Sequence, residues 1–374
     1  MFPALPRRRS RRFSTLLLVL IAPSSLTAQS PSAGAPAPSF DALVRTAVEA
    51  RDAGRLDDAV AAYRSAVRLR PAWDEGWWYL ATALYEQQQD AAARDAFTRF
   101  LALKPDTGRA FALRGVCEFR LRQYDRALTD LRKAQALGLA GSLELTRSVW
   151  YHTAILLLRD GQFELAVEPL TMLARSEPES ASLVDAIGLV LLRRAFLPAD
   201  IPAGSRDVVA AAGRAGYSWF GRAGAEADKR FRALIDQYPD APNVHYAYGA
   251  FLLQADSEKA LAQFRREIAI NPQSAYPHLE IAFELLRRGD ARAAETSARE
   301  AVRLEPQSPP ARNALGRTLV ELGDIRAAIA ELETAVKLAP GSPEMHFALA
   351  NAYARAGRKE DAAREREIFT KLRK

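Results

Sequence analysis

The sequence predicts an all-α solenoid, on three observations. An alanine recurs at one place in a unit of about 34 residues: Ala59, Ala93, Ala127, Ala166, Ala227, Ala260, Ala294, Ala328 and Ala362. A second small residue precedes it, by twelve positions in most units: Ala47, Ala81, Gly115, Ala154, Gly188, Gly249, Ala282, Gly316 and Ala350. The intervals to Ala227 and Ala260 differ, at thirty-nine and eleven. Twelve residues after seven of the alanines stands a proline: Pro71, Pro105, Pro178, Pro239, Pro272, Pro306 and Pro340. A fixed period of this length is the signature of stacked supersecondary units.

Each mark has a physical role. Two helices approach to the short end of the usual 8–10 Å only where the side chains at their crossing are small, so unit positions 8 and 20 mark that crossing. Gly54, Gly161, Gly289, Gly323 and Gly357 at position 15 supply the positive φ that ends a first helix. The position-32 proline stops the second. Units then begin near Phe40, Asp74, Gly108, Arg147, Ala181, Pro242, Ala275, Pro309 and Pro343. The third has Leu139 in place of proline and is followed by a spacer, Ser142 to Thr146. The sixth is one residue short, near Gln254–Asp256. The fifth is too long, with a first helix ending near Phe196, a second resuming near Arg222, and an insertion at about 197–221. Within that insertion Leu197–Pro202 reads as extended, because residues before proline avoid the helical region. Ser205 and Asp207 read as the start of a helix over Val208–Phe220. Gly213, Gly216, Gly221 and Gly224 fall on one face of it. The expectation is an extra helix packed on the solenoid, either shaping or occluding its groove or covering a gap. In the last unit Arg366 replaces an apolar residue at position 24, as the polar end of a solenoid requires.

Helix, glycine turn, helix and proline, repeated in 34 residues with small residues at positions 8 and 20, resembles the tetratricopeptide repeat family over roughly 40–374. The resemblance implies a right-handed superhelical solenoid of about nine helix-turn-helix units that binds protein. It also implies a concave wall formed by positions 2, 5, 9, 12 and 13. Those positions hold Trp78, Tyr85, Phe119, Arg120, Tyr151, Arg159, Arg193, Tyr246, Tyr276, Phe283, Arg287, Arg317, Phe347 and Arg355. Aromatics interleaved with arginines have the composition of interface hot spots, with Trp78, Tyr85 and Tyr151 the expected centre. The chaperone-clamp use of the family is excluded, since Val44 and Val48 stand where its Lys and Asn belong.

The first 38 residues are of another kind. Arg7, Arg8, Arg9, Arg11 and Arg12 form a basic region, Phe13–Ala22 a short apolar core, and Leu26-Thr27-Ala28 a cleavage site. Residues 1–28 read as a secretory signal peptide and 29–39 as a Pro/Ala/Ser-rich leader. Arg11-Arg12 invites a twin-arginine reading, against which Ser14 and Thr15 stand. Without those five arginines the formal net charge of +7 falls to about +2, which removes the main argument for a nucleic-acid partner.

No catalytic constellation is legible. His245, His278 and His346 fall at position 4 of their units and His152 at position 6, where packing residues belong. Gly216–Gly221 has one residue too many for a nucleophile elbow. The single cysteine, Cys117, stands mid-helix and reads as a buried inert thiol. The expectation is a non-enzymatic scaffold without cofactor or metal, periplasmic or secreted, that binds a protein or peptide in its groove. A component of an envelope assembly or polysaccharide-export machine is the alternative.

Overall fold

The computed structural model describes residues 38–139 and 141–373; the expected signal peptide, 1–28, and nearly all of the expected leader, 29–39, fall outside the described residues. Among the described residues there are nineteen α-helices and no strand. They stack as antiparallel pairs into a superhelix. In chain order they are α1 (Phe40–Asp52), α2 (Leu56–Leu69), α3 (Asp74–Glu86), α4 (Asp90–Leu103), α5 (Gly108–Arg120), α6 (Tyr124–Leu137), α7 (Leu143–Arg159), α8 (Phe163–Ser176), α9 (Ala181–Leu191) and α10 (Arg206–Phe220). There follow α11 (Gly224–Gln237), α12 (Val244–Leu252), α13 (Ser257–Ile270), α14 (Ala275–Arg287), α15 (Ala291–Leu304), α16 (Pro309–Leu322), α17 (Ile325–Leu338), α18 (Pro343–Arg355) and α19 (Lys359–Leu372). No described helix is long and apolar enough to cross a membrane.

The small residues sit where close packing needs them. All nine position-20 alanines are buried, as are their position-8 counterparts. Gly316 faces the side chain of Leu332, and Gly249 the ring of Phe264, at distances that leave no room for a Cβ. Position 15 is left-handed in eight units, at Gly54, Gln88, Arg122, Gly161, Arg222, Gly289, Gly323 and Gly357. Glycine fills five of them. The other three accept the strain of a side chain in that region, about 1–2 kcal/mol.

Position 4 has a function the periodicity did not show. Trp77 Nε1 donates to the Pro71 carbonyl at 2.8 Å, and Arg312 Nε to that of Pro306 at 3.0 Å. His245 Nε2 donates to the Pro239 carbonyl and His346 Nε2 to that of Pro340, each at 2.9 Å. The second histidine nitrogen reaches position 23, meeting the Gln263 side chain and the Glu365 carboxylate at 2.6 Å. Each clasp satisfies a carbonyl at the end of one unit with a side chain from the next, so these two histidines lock neighbours together.

The middle of the chain corrects the expected register. Helix α11 packs on α10, not on α9, and α10 also packs along α9. Ala215, twelve residues before Ala227 and fully buried, is the position-8 residue of that unit, and Arg222 is its left-handed position 15. The fifth unit therefore runs from Val208, with α10 and α11 as its pair. The extra material is α9 with the following loop, about 181–207, rather than 197–221. Alanine and glycine serve equally at position 8, which is why Gly188 could be mistaken for Ala215.

Two glycines make the α9–α10 contact closer than a regular pair. A Cβ on Gly188 would meet the Val209 carbonyl, and one on Gly213 the Val184 carbonyl. Gly216 faces Ile187 and Leu191, whereas Gly221 caps α10 and Gly224 opens α11, so only half of the expected glycine face exists. Leu197 and Ile201, each before a proline, are extended as expected, but Pro198–Asp200 between them is a 3-10 turn. The spacer Ser142–Thr146 is likewise not a spacer. Ser142 caps α7, its side chain accepting from Leu145 N at 3.3 Å, and the rest forms an extra helical turn. At the far end Ala362 is the only buried residue of α19, which closes the solenoid with a polar face.

Candidate functional site

The groove residues separate into three groups along the superhelix. In the early units they face each other more than solvent. Trp78 packs on Phe97 and Phe100, with ring centroids 6.0 and 5.3 Å away, and Arg109 lies over its ring. Phe119 meets His152 edge-on at 4.8 Å, and Tyr151 meets the same imidazole at 5.6 Å. Burial pushes the Tyr151 phenol up to about 12 and depresses His152, which bonds the Ser148 carbonyl at 2.7 Å. Both shifts mark sites where a charge finds no water.

The position-13 arginines are ties between units. Arg120 lies 4.8 Å over Tyr85 and pairs with Asp90 of the preceding unit at 3.1 Å. Arg159 repeats this with Tyr124 and Asp125, at 4.9 and 3.0 Å. Arg355 reaches Glu321 at 3.5 Å, while Arg287 turns back to Glu284 on its own helix at 2.7 Å. The sequence pattern of aromatic and arginine is therefore largely inter-repeat stacking, with cation–π contacts of about 0.5–2 kcal/mol each.

In the middle, Arg193 draws three elements together. Its guanidinium sits 3.3 Å over the Tyr276 ring and 5.8 Å from that of Tyr246, and pairs with Glu164 at 2.7 Å. Tyr246 donates to Glu280 at 3.4 Å, and burial holds both that phenol and that carboxyl above their ordinary values.

Only in the last units does the wall present open recognition groups. A cavity of about 660 Å3 is lined there by Arg317, Phe347, Asn313, Asn351, Phe369 and Arg373, among others. Phe347 is half exposed, 5.3 Å from Phe369, and Arg317 lies 5.7 Å over Phe283. Asn313 is 5 % exposed, yet its side-chain oxygen has no hydrogen-bond partner. An amide oxygen held dry without a donor is costly unless a partner supplies one. Asn313 and Asn351 stand at wall positions 5 and 9, but an amide carries neither the ring nor the guanidinium that marks a hot spot in the sequence. Phe369 lies on α19, a second helix, outside the wall positions of the first helices.

Other candidate chemistry is absent among the described residues. No group of three His, Cys, Asp or Glu side chains is placed to hold a metal ion. Cys117 is buried, and desolvation pushes its thiol up to about 12, far from a reactive thiolate. Gly216–Gly221 belongs to the last turn and cap of α10.

The tetratricopeptide repeat model matches residues 44–106, 91–142, 118–181, 279–324 and 313–365, which together make up more than half of the chain. These matches leave out the stretch from α9 to α13. No curated protein matches the sequence. Among solved structures, MamA from Desulfovibrio magneticus RS-1 is 17 % identical over 44 % of this chain and 94 % of its own, with a TM-score of 0.41. The Cut9–Hcn1 structure is 13 % identical over 89 % and 87 %, with a TM-score of 0.41. Yeast Tom70 is 15 % identical over 89 % and 85 %, with a TM-score of 0.37. By its repeat model and its helix pairs, the chain belongs to the tetratricopeptide repeat family.

Proposed function

We propose that this chain is an exported scaffold that holds an extended segment of a protein partner along the concave wall of its last three units. A solenoid of helix pairs is built for protein interaction, because its units share one continuous surface. The observation that carries the location is the unpartnered oxygen of Asn313 beside the half-exposed Phe347. An extended peptide offers backbone N–H groups at regular intervals, one of which satisfies that amide. Phe347 and Phe369 receive an apolar side chain, and Arg317 and Arg373 offer donors to carbonyl or carboxylate groups. The basic region, apolar core and Leu26-Thr27-Ala28 of the N-terminal segment support export. If the chain is processed there, its mature form isolated from the envelope fraction begins at Gln29.

The test is selection of displayed random peptides on the chain, followed by affinity measurement on single variants. Asn313→Ala and Phe347→Ala are each expected to weaken a selected peptide about tenfold, as hot-spot truncations do. Trp78→Ala, at a position packed between repeats, is expected to leave affinity within a factor of about two wherever its melt stays cooperative. Unchanged binding by both groove variants would overturn the assignment.

A further inference from the structure

The break in the repeat opens a cavity in which the wall residues Arg193 and Tyr246 are joined by side chains of α8, α10 and α11 that lie outside the wall positions. It has a volume of about 1090 Å3 and lies along α8, bounded by the ends of α9 and α10 and by α11 and α12. Both Phe163 and Arg175 line it. Twelve residues of helix at about 1.5 Å each make it a slot of roughly 18 Å. Its wall is apolar along the middle, with Val167, Trp219, Phe251 and Leu252. Val167 is 38 % exposed, an aliphatic side chain left without cover.

The charges are arranged unequally along the slot. At the Phe163 end Arg193 is matched by Glu164 at 2.7 Å, and Glu280 accepts from Tyr246. Elsewhere around the slot Arg232 is matched by Asp228 at 2.7 Å and Lys259 by Asp256 at 2.9 Å. Arg175 and Arg222 line the remaining end, both exposed at the rim, and neither has a carboxylate partner among the described residues. Arg175 is oriented by its Nε, which donates to the Phe220 carbonyl at 3.1 Å. Arg222 is held on the connecting turn with φ of 65°. One end of an apolar slot thus carries two unneutralised cations, and the other is neutral or slightly acidic.

We propose that this slot binds a long-chain fatty acid, with its carboxylate at Arg175 and Arg222 and its chain along Val167, Trp219 and Phe251. The volume lies just above the roughly 300–1,000 Å3 usual for small-ligand sites, and an extended alkyl chain would use the length of the slot. A peptide is the poorer occupant, because its backbone groups would need partners that the paired charges of the wall no longer offer. An alkyl chain needs none, and each methylene removed from water adds to affinity. The carboxylate gains charge-assisted hydrogen bonds from two guanidinium groups. The site lies in the middle units, apart from the peptide wall of the last three.

The test is titration of the full chain with cis-parinaric acid, read by its fluorescence and by energy transfer from tryptophan, then displacement by palmitate and by hexadecanol. Saturable one-to-one binding is expected, with palmitate displacing at least about tenfold better than the uncharged alcohol. Arg175→Ala combined with Arg222→Gly, which keeps the left-handed turn, is expected to abolish that preference while leaving hexadecanol unaffected. Val167→Trp and Ala250→Trp each fill the slot, the first at an exposed position that the fold tolerates. Loss of binding in whichever of the two melts like the wild type supports the site. Retained affinity in a folded filling variant, absence of saturable binding, or equal displacement by acid and alcohol would overturn it.

Discussion

Glu118 is a carboxylate that the fold holds away from water. It is 5 % exposed, one of its oxygens has no partner, and its neighbour Asp130 is committed to Arg114 at 2.6 and 2.8 Å. Desolvation first, and then the Asp130 charge, push its carboxyl up to about 7, against the opposing pull of Arg114, Arg126 and Arg94. The folded state then holds a proton through the range where the unfolded chain has lost it, from the ordinary 4.5 to about 7. Stability from this group is therefore full below about 4.5 and falls as pH rises to about 7. Glu118→Gln is expected to melt higher than the wild type at pH 8 and to show no such advantage at pH 4.5. Parallel thermal melts across that range check it, and curves separated by a constant interval would contradict it. Nothing in the sequence singles out Glu118 among many helical carboxylates; its burial comes from the neighbouring helices.

At the scale of elements, the extra helix is a question of register. Deleting 181–207 joins Ser180, the last position of the fourth unit, to Val208, the first of the fifth, and restores the 34-residue period without a gap. Deleting 198–220 removes α10, the partner of both α9 and α11, and leaves two helices with apolar faces uncovered. The first deletion is expected to keep a cooperative helical melt, the second to lose it. Circular dichroism of the two proteins decides the matter; a folded 198–220 deletion and an unfolded 181–207 deletion would return the insertion to its expected place. Ala227 at position 20 was legible without the structure. Its true partner was not, because Gly188 and Ala215 satisfy the same size rule and only packing distinguishes them.

Over the whole molecule, the position of Arg193 matters most. Its side chain is 8 % exposed and ties α8, through Glu164, to Tyr276 of α14. The same residues wall a cavity of about 430 Å3 whose other side is the turn from Glu305 into the start of α16 at Pro309 and Pro310. The superhelix thus brings its fourth unit near the connection between its seventh and eighth. Arg193→Ala removes a buried cation–π contact of about 2 kcal/mol and leaves Glu164, which is 69 % exposed, free to be hydrated. The expected outcome is a lower Tm with an unchanged helix content and a larger radius of gyration by small-angle scattering. An unchanged radius would show that the superhelical pitch is set by unit-to-unit packing alone.

The sequence by itself determined the class of fold, the helix crossings of every unit but the fifth, and the polar last helix. These depend on local rules: a small side chain at each crossing, a left-handed residue at the turn of eight units, a proline after seven of the helix pairs. Tertiary structure alone decided which wall residues are available, because the same aromatic and arginine pattern serves both recognition and stacking between units. Trp78, Tyr85 and Tyr151 went to the stack, and Phe347 and Arg317, near the end of the solenoid, stayed open. It also decided the partner of α11 and the slot beside α8, since a cavity belongs to surfaces distant in the chain and leaves no periodic mark.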